Sequence, residues 1–237
     1  MILSGHQPCY LPGIQLINKI MLSDAFMHVG HCQYQKRSWH SHNFIRTGEL
    51  IVPVRATLGQ SVDEVEIDYS KNWQRKHLER IKHAYGDERK FPFFEYIYPF
   101  LADIIWCNHG TLGELNKSLL YWILQKLEIN TWIFDSRNHQ IEGSKCDMLI
   151  SMCKAVGADE YLSNEGSRWR QGNDGYITAA EEDRMAAAGI KHRWQKFTHP
   201  IYGQDARVNF GRLSVIDLLF RHGPASAEII RRAGHVD

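Results

Sequence analysis

Apolar positions near the start of the chain change from a strand-like run to helical spacing. Residues 1–5 form a short, mainly apolar segment, and Pro8 and Pro12 follow it. Because proline lacks an amide hydrogen and fixes φ, neither a strand nor a helix interior fits between the two prolines. After Pro12, apolar residues recur as on one face of a helix, at Ile14, Ile17, Ile20 and Met21. The pattern predicts a strand, a polar loop and a helix.

The same alternation continues along the chain. Further strands are predicted from apolar segments at residues 25–29, 131–135, 160–163 and 190–197. Helices are predicted where Ser or Thr precedes Glu or Asp by three residues, at Thr111, Ser144, Thr178 and Ser214, and a last helix at 227–233. The pattern at residues 50–54 and 65–69 predicts a hairpin at the edge of a sheet. Pro53 suits an edge strand, because proline has no amide hydrogen to donate to a neighbouring strand.

Strands that alternate with helices favour a parallel sheet with helices on both faces. We therefore predict an α/β fold in a single domain, residues 1–237, with a Rossmann-like parallel sheet. Residues 50–127 are expected to be a hairpin and helical insertion. Neither G-x-G-x-x-G nor G-x-x-x-x-G-K-[ST] occurs, which argues against standard dinucleotide and phosphate-loop chemistry.

Charge and cysteine content exclude several classes of protein. The 237 residues carry a formal net charge of +1, so no bulk basic field recruits nucleic acid or an anionic membrane. The five cysteines include no C-x-x-C pair, which is typical of free thiols in a reducing compartment. No apolar run reaches membrane-spanning length. We expect a cytoplasmic protein with a small-molecule substrate, no nucleic-acid partner and no membrane span; the oligomeric state stays open.

Histidines and cysteines cluster near the N-terminus and raise a zinc hypothesis. The cluster comprises His6, Cys9, His28, His31, Cys32, His40 and His42. Its spacing fits neither a zinc finger nor H-E-x-x-H, so no metal is expected.

Polar side chains follow three of the predicted strands. The first loop carries His6, Gln7 and Tyr10, the alternative being a structural turn with a buried histidine. The second carries Gln33, Lys36, Arg37, Trp39 and Asn43, which suit phosphate or carboxylate recognition beside a stacking tryptophan. A solvated charged loop is the alternative there.

The third loop contains Ser163, Asn164, Gly166 and Arg168. Small residues allow backbone amides to point at an anion, and Arg168 can close over it. Since each loop follows a parallel strand, loops 6–12, 33–43 and 163–168 are expected to line one cleft at the carboxyl edge of the sheet.

Several stretches resemble the WbqC-like family in order and over nearly the whole chain. They are Ser4–Pro12, Gln33–Trp39, Lys76-His77, Glu114–Asn116, Tyr161–Ser163, Tyr202–Gln204 and Ser214–Phe220. The resemblance implies a link to bacterial surface-polysaccharide (O-antigen) gene clusters and transfer of glycine or a similar acyl group to an amino sugar. The chain departs from the family pattern at Gly13, Gly30-His31 and the stretch 41–44, within the loops that are candidates for the site.

The first strand, loop and helix, followed by a strand that ends in Val-x-x-x-Gln33-Tyr34, also resemble the adenylate-forming pantothenate synthetases of the HIGH nucleotidyltransferase group, although the second histidine of that signature is absent. An acyl-adenylate would activate a free carboxylate for amide formation. ATP or an acyl donor is therefore the candidate cofactor.

The sequence thus leads to an acyl or aminoacyl transferase acting on a nucleotide-linked amino sugar. His6 is the expected general base or phosphate donor group. Gln7 and Gln33 are expected to orient the substrate, Lys36 and Arg37 to bind phosphate, and Tyr10 and Trp39 to stack. The alternatives are a non-catalytic nucleotide- or sugar-binding partner and an ATP-dependent adenylate-forming ligase.

Overall fold

The computed structural model describes residues 1–168, 175, 177–203, 205 and 208–237. The strands are β1 (Ile2–His6), β2 (Ala25–His28), β3 (His42–Ile45), β4 (Gly48–Ile51), β5 (Val54–Arg55), β6 (Glu66–Ile67), β7 (Trp132–Asp135), β8 (Glu160–Asn164), β9 (Lys191–Phe197) and β10 (Gly234–Val236). The α-helices are α1 (Ile14–Met21), α2 (Trp73–Tyr85), α3 (Phe94–Trp106), α4 (Leu112–Lys126), α5 (Cys146–Val156), α6 (Ala179–Ala187), α7 (Ile216–His222) and α8 (Ser226–Arg232). None of the helices in these ranges is long and apolar enough to cross a membrane.

The central sheet has the strand order β10-β9-β8-β1-β2-β7, and every neighbouring pair is parallel except β9 and β10. The chain starts in the middle, adds β2 and β7 on one side, then crosses β1 to add β8 and β9 on the other. This is the doubly wound order, with the reversal between β1 and β8. The predicted α/β fold and its five parallel strands are confirmed. The edge strand β10 follows the predicted last helix and was not predicted.

Helices cover both faces of this sheet, as alternate residues of β2 show. Phe26 lies in a hydrophobic cluster with residues of α1 to α4, α7 and α8. Its neighbours Ala25 and Met27 belong to a second cluster with α5 and α6. The insertion between β2 and β7 therefore shares one continuous apolar cluster with the α1 face of the sheet.

The insertion contains two short hairpins where the sequence predicted one. β4 pairs with β3, and β5 pairs with β6. The predicted pairing of residues 50–54 with 65–69 is wrong for its first part, since the chain leaves the first hairpin at Pro53. Proline offers no amide hydrogen to continue the ladder.

Two of the four predicted helix starts form complete capping boxes. Thr111 with Glu114, and Thr178 with Glu181, exchange side-chain and backbone hydrogen bonds. Ser144 does not cap α5, whose N-cap is Lys145 at φ +50°, and Asp147 pairs with Arg184 instead.

The fourth predicted start places a carboxylate in the core. Asp217 is fully buried on α7 and accepts two hydrogen bonds from the Arg46 guanidinium, the one from Nη2 at 3.2 Å. That guanidinium also lies over the rings of Phe91 and Phe210. The ion pair joins the β3–β4 hairpin to the helix that closes the core.

Breaking this pair on one side should destabilise the protein strongly. Asp217→Asn leaves the Arg46 guanidinium, whose side chain is only 13% exposed, without its fully buried counter-charge. Losing one partner of a buried pair typically costs about 3–5 kcal/mol of unfolding free energy. The double variant Arg46→Met/Asp217→Leu removes both charges and should recover part of the loss. Urea unfolding monitored by circular dichroism measures these changes.

The matched control is Glu79→Gln, which removes one partner of the exposed pair Arg75–Glu79. Its effect should stay within about 0.5 kcal/mol. An Asp217→Asn variant that unfolds at the wild-type urea midpoint would contradict the structural role of the buried pair.

Candidate functional site

The reversal of strand order opens a cleft at the carboxyl ends of β1 and β8. Two cavities meet there, and His6, Lys19 and Asn164 line both. The cavity of about 380 Å³ beside the start of α1 is termed the α1 lobe. The cavity of about 370 Å³ beside α5 is termed the α5 lobe. Ligands of doubly wound folds bind at this position in the sheet.

Lys19 is the cation at the centre of the cleft, and the sequence analysis missed it. It lies on α1 with 4% of its surface exposed, and its Nζ donates to the carbonyl oxygen of Gly5 at 2.9 Å. Among the described residues it forms no ion pair with a carboxylate. Burial lowers the pKa of Lys19 to about 8, with Cys9 acting in the opposite direction. A buried ammonium without a counter-charge is suited to binding an anion.

The signal for Lys19 was present in the helix pattern. Apolar residues occupy several faces of α1, where of the residues from Ile14 to Met21 only Gln15 is exposed. A helix that is apolar nearly all round is buried, and its polar residues are buried with it.

His6 presents one ring nitrogen to the cleft. Its Nδ1 lies 2.7 Å from the carbonyl oxygen of Gln7, so Nδ1 carries the proton and donates it there. Nε2 has no hydrogen-bond partner among the described residues and keeps its lone pair. Burial, followed by the charge of Lys19, lowers the pKa of His6 to about 4. The imidazole is therefore neutral at physiological pH.

Cys9 lies beside His6 but is not activated. Its Sγ is 3.5 Å from Nδ1 of His6, the nitrogen whose hydrogen is donated to Gln7. Burial raises the pKa of Cys9 to about 12, so the thiol stays protonated. A thiolate nucleophile is excluded at this position at neutral pH.

Gln7 lines the α5 lobe and is held by a neighbouring histidine. Its Oε1 accepts a hydrogen bond from Nε2 of His40 at 2.7 Å, and Nδ1 of His40 accepts one from the backbone N–H of Gln35 at 3.4 Å. The tautomer of His40 and the direction of the Gln7 amide are thereby fixed.

Tyr10 does not reach the cleft. It is fully buried, and its hydroxyl lies 2.9 Å from Nδ1 of His77, whose Nε2 donates to the carbonyl of Ile51 at 3.0 Å. Its burial is incompatible with the predicted stacking role. It anchors the first loop to the insertion instead.

Asn43 both lines the α1 lobe and shapes the first loop. Its amide donates to the carbonyl oxygens of Tyr10 and Leu11, and its Oδ1 accepts from the Phe44 amide. Leu11 has φ +45°, an unfavourable conformation for a residue with a branched side chain. These bonds hold Leu11 in that conformation.

The second loop divides between two places. Lys36 and Arg37 line a separate pocket of about 650 Å³ with Tyr34 and Pro53, away from His6. Gln33 is exposed and forms a bridge with Ser61. The loop turns at Arg37, where φ is +60°.

Trp39 and Asn43 are therefore the members of the second loop that line the cleft. Trp39 is 47% exposed at its rim and stacks on His42 at 5.2 Å between ring centroids. The expected single cleft includes the first and third loops and these two residues, but not Lys36 and Arg37. Arg212, near the rim, supplies a cation to the α1 lobe and lies over the Phe44 ring.

The third loop contributes three of its four predicted residues. Ser163, Asn164 and Gly166 line the α5 lobe. Oδ1 of Asn164 accepts from Ser167 at 2.8 Å, which leaves the Asn164 amide hydrogens for the cleft. The Arg168 guanidinium lies over the Trp194 ring at 4.4 Å and does not line either lobe.

Gln195 is a further site residue that the sequence did not indicate. It lies on β9, is 1% exposed and lines the α1 lobe. Its Nε2 donates to the Gln15 carbonyl and to Oδ1 of Asn18, whereas its Oε1 has no partner among the described residues. A buried acceptor without a donor carries a free-energy cost that a ligand hydroxyl or amine can remove.

The N-terminus of α1 faces the same lobe. Gly13 is its N-cap and provides no side-chain acceptor. The antiparallel bridge between Gly13 and Ser214 engages the Ile14 amide, so the amides of Gln15 and Leu16 are the ones left for the cavity, which both residues line. Free amides and the helix dipole both favour an anion there. Within the described ranges, no group of three or more His, Cys, Asp or Glu residues is arranged to hold a metal ion.

Comparison with known proteins gives the family of the chain. The uncharacterized protein Rv1507c of Mycobacterium tuberculosis (strain ATCC 25618 / H37Rv) is 25% identical over 236 residues, which cover 95% of each chain. No solved structure matches. Of the stretches that resembled the family in sequence, Gln204 alone lies outside the described residues. Residues 7–229 match the model of the WbqC-like protein family, and the chain belongs to that family.

Proposed function

We propose that this protein is an acyl or aminoacyl transferase, of which glycyl transfer is one form, acting on the amine of a nucleotide-linked amino sugar in bacterial surface-polysaccharide biosynthesis. The observation that carries the proposal is the buried ammonium of Lys19, which has no described carboxylate partner and lies where doubly wound folds bind nucleotides. The five free thiols agree with the cytoplasm as its place of action.

The α1 lobe supplies what a phosphorylated acceptor needs. Lys19 and the open N-terminus of α1 offer a charge and amide donors to phosphate. Oε1 of Gln195 and the amide of Asn164 offer an acceptor and a donor to sugar hydroxyls. Trp39, half-exposed at the rim, offers a flat surface for a base.

His6 is suited to removing the proton from the attacking amine. Its ring lines both lobes, Nε2 has no described hydrogen-bond partner, and the proton on Nδ1 is held by the Gln7 carbonyl. The charge of Lys19 helps to lower the pKa of His6. A bound phosphate offsets that charge, so substrate binding raises the basicity of His6 where it is needed.

The low pKa of His6 in the free protein also favours a second candidate, a non-catalytic nucleotide-sugar-binding protein. A base with a pKa of about 4 is weak at neutral pH. The two candidates share the binding site and differ in turnover.

Binding should depend on Lys19. The Lys19→Met substitution removes a charge-assisted donor that typically contributes about 1.5–3 kcal/mol to binding. The Kd for UDP, measured by calorimetric titration, should therefore rise roughly ten- to a hundredfold. Lys82→Met, on the exposed face of α2, is the matched control. Arg37→Ala should also leave Kd unchanged, because Arg37 lines the separate pocket. Equal Kd values for wild type and Lys19→Met would reject the proposed anion site.

Turnover separates the enzyme from the binding protein. The purified protein is incubated with UDP-linked amino sugars and either an acyl thioester or ATP with glycine, and products are identified by mass spectrometry. An N-acylated sugar nucleotide supports the transferase, and His6→Gln should lower its rate by about a hundredfold with UDP affinity nearly unchanged. UDP binding without product across this panel favours the binding protein.

Lys19→Met should also stabilise the free protein at neutral pH. The lowered folded-state pKa, about 8 against 10.5, means that burying the ammonium costs roughly 3 kcal/mol below pH 8. Between pH 8 and 10.5 the unfolded chain binds more protons than the folded one, so wild-type stability contributed by this group rises with pH. The advantage of Lys19→Met in urea unfolding should therefore be largest at pH 7 and shrink toward pH 10. A constant difference, or a less stable variant at pH 7, would contradict the assigned cost.

A further inference from the structure

Three side chains from separate elements form a hydrogen-bonded chain beside the α5 lobe. Ser163 Oγ lies 2.9 Å from Nε2 of His192, and Nδ1 of the same ring lies 3.2 Å from Oε1 of Glu182. Ser163 is near the end of β8, His192 is on β9 and Glu182 is on α6. Hydroxyl, imidazole and carboxylate thus occur in the order used for activating a serine nucleophile.

The carboxylate fixes the imidazole in the form that activation requires. Because Glu182 accepts from Nδ1–H, Nε2 is left as the acceptor of the Ser163 hydroxyl hydrogen. Oε1 of Glu182 also accepts from Nε1 of Trp194 at 2.8 Å, which holds the carboxylate in place. The side chain of His192 is 3% exposed, so water competes little for these bonds.

The serine lines a cavity of suitable character. Ser163 borders the α5 lobe, whose wall includes the apolar side chains of Met148, Leu149 and Met152. The same lobe shares His6, Lys19 and Asn164 with the α1 lobe, where the acceptor is proposed to bind. An acyl group held in one lobe therefore lies next to an amine held in the other.

The structure does not copy the nucleophile elbow of α/β-hydrolases. The sequence around Ser163 is Leu162-Ser163-Asn164-Glu165-Gly166 rather than G-x-S-x-G, and the serine belongs to the strand rather than to a strained turn. What is shared is the hydrogen-bond geometry and not the local fold, as in other convergent cases.

We propose that Ser163 is an acyl-accepting nucleophile, with His192 as its base and Glu182 as the residue that positions His192. The inference rests on the proposed acyl transfer and adds a covalent intermediate to it. The acyl donor it requires is an activated ester or thioester.

The proposed transfer takes place in two steps. Ser163 Oγ attacks the acyl carbon while its proton moves to Nε2 of His192, and the donor's alkoxide or thiolate departs with that proton. The acyl group is then an ester on Ser163. His6 takes one proton from the acceptor's ammonium group. The resulting amine attacks the ester and passes its next proton to Nε2 of His192, which returns it to Ser163 Oγ as the ester bond breaks, leaving an amide and the serine hydroxyl.

The test uses p-nitrophenyl acetate as a minimal acyl donor. With wild-type protein we expect a burst of p-nitrophenolate close to one equivalent, one acetyl group by intact mass, and its location on Ser163 by peptide mass spectrometry. Ser163→Ala should lose the burst and the adduct. His192→Asn should slow acylation by about a hundredfold.

Glu182→Gln provides a second variant that does not alter the buried serine. Its side chain is 40% exposed, so the fold should tolerate the change. The rate of acylation should fall while the KM for the ester stays nearly unchanged. A purely structural role for Glu182 would not produce this combination. Ser118→Ala on α4 is the matched control, and it should keep the full burst.

Each outcome decides the inference. The assignment of Ser163 as the nucleophile would be wrong if folded wild-type protein formed no adduct or formed it on another residue. It would also be wrong if the Ser163→Ala variant still formed the adduct. UDP binding that depends on Lys19 without an adduct on Ser163 rejects this inference alone. An adduct on Ser163 without such UDP binding rejects the proposed acceptor site and leaves the nucleophile standing.

Discussion

The burial of one ammonium group at the middle of the sheet is the constraint on which the site depends. Lys19 lies on α1, and its Nζ donates a hydrogen bond to the backbone of β1. Its side chain is buried, and no carboxylate among the described residues pairs with it. Burying a charge in this way lowers stability, so the arrangement is costly unless a ligand supplies the missing anion. Burial, followed by the same charge, lowers the pKa of His6 and keeps its ring neutral. The electrostatics of the cleft thus follow from burial and from the charge of Lys19.

The insertion serves to hold the first loop in shape. Tyr10 is bonded to His77 of α2, and Asn43 of β3 binds the backbone at Leu11. From α4, Asn116 donates to the carbonyl oxygen of His40 at 2.8 Å, and His40 in turn holds Gln7. Several stretches that carried the family resemblance are therefore anchors of the loop and not contacts to a ligand. This division explains why a loop that is rich in polar residues places only some of them in the cleft.

Sequence reasoning reached the fold and the edge of the sheet where the cleft lies, because strand-helix alternation and capping boxes are local patterns. It failed where packing at a distance decides. Lys36 and Arg37 were assigned to the cleft by their position after β2, yet the turn at Arg37 carries them to another pocket. Gln195 was overlooked because its burial depends on elements far away in the chain, whereas the burial of Lys19 could have been inferred from the pattern of α1, which is apolar nearly all round. The hydrogen bonds of His192 with Ser163 and with Glu182 likewise join three elements and have no spacing signature.

NMR titration of the Lys19 side chain tests most directly whether Lys19 is a buried cation that binds an anion. With ¹³C-labelled lysine, the Cε resonance of Lys19, assigned through its loss in Lys19→Met, reports its protonation. We expect a pKa of about 8 for Lys19 in the free protein, against 10.5 for an ordinary lysine, and a rise of that pKa when UDP saturates the cleft. A pKa near 10.5 in the free protein, or one that UDP leaves unchanged, would contradict it.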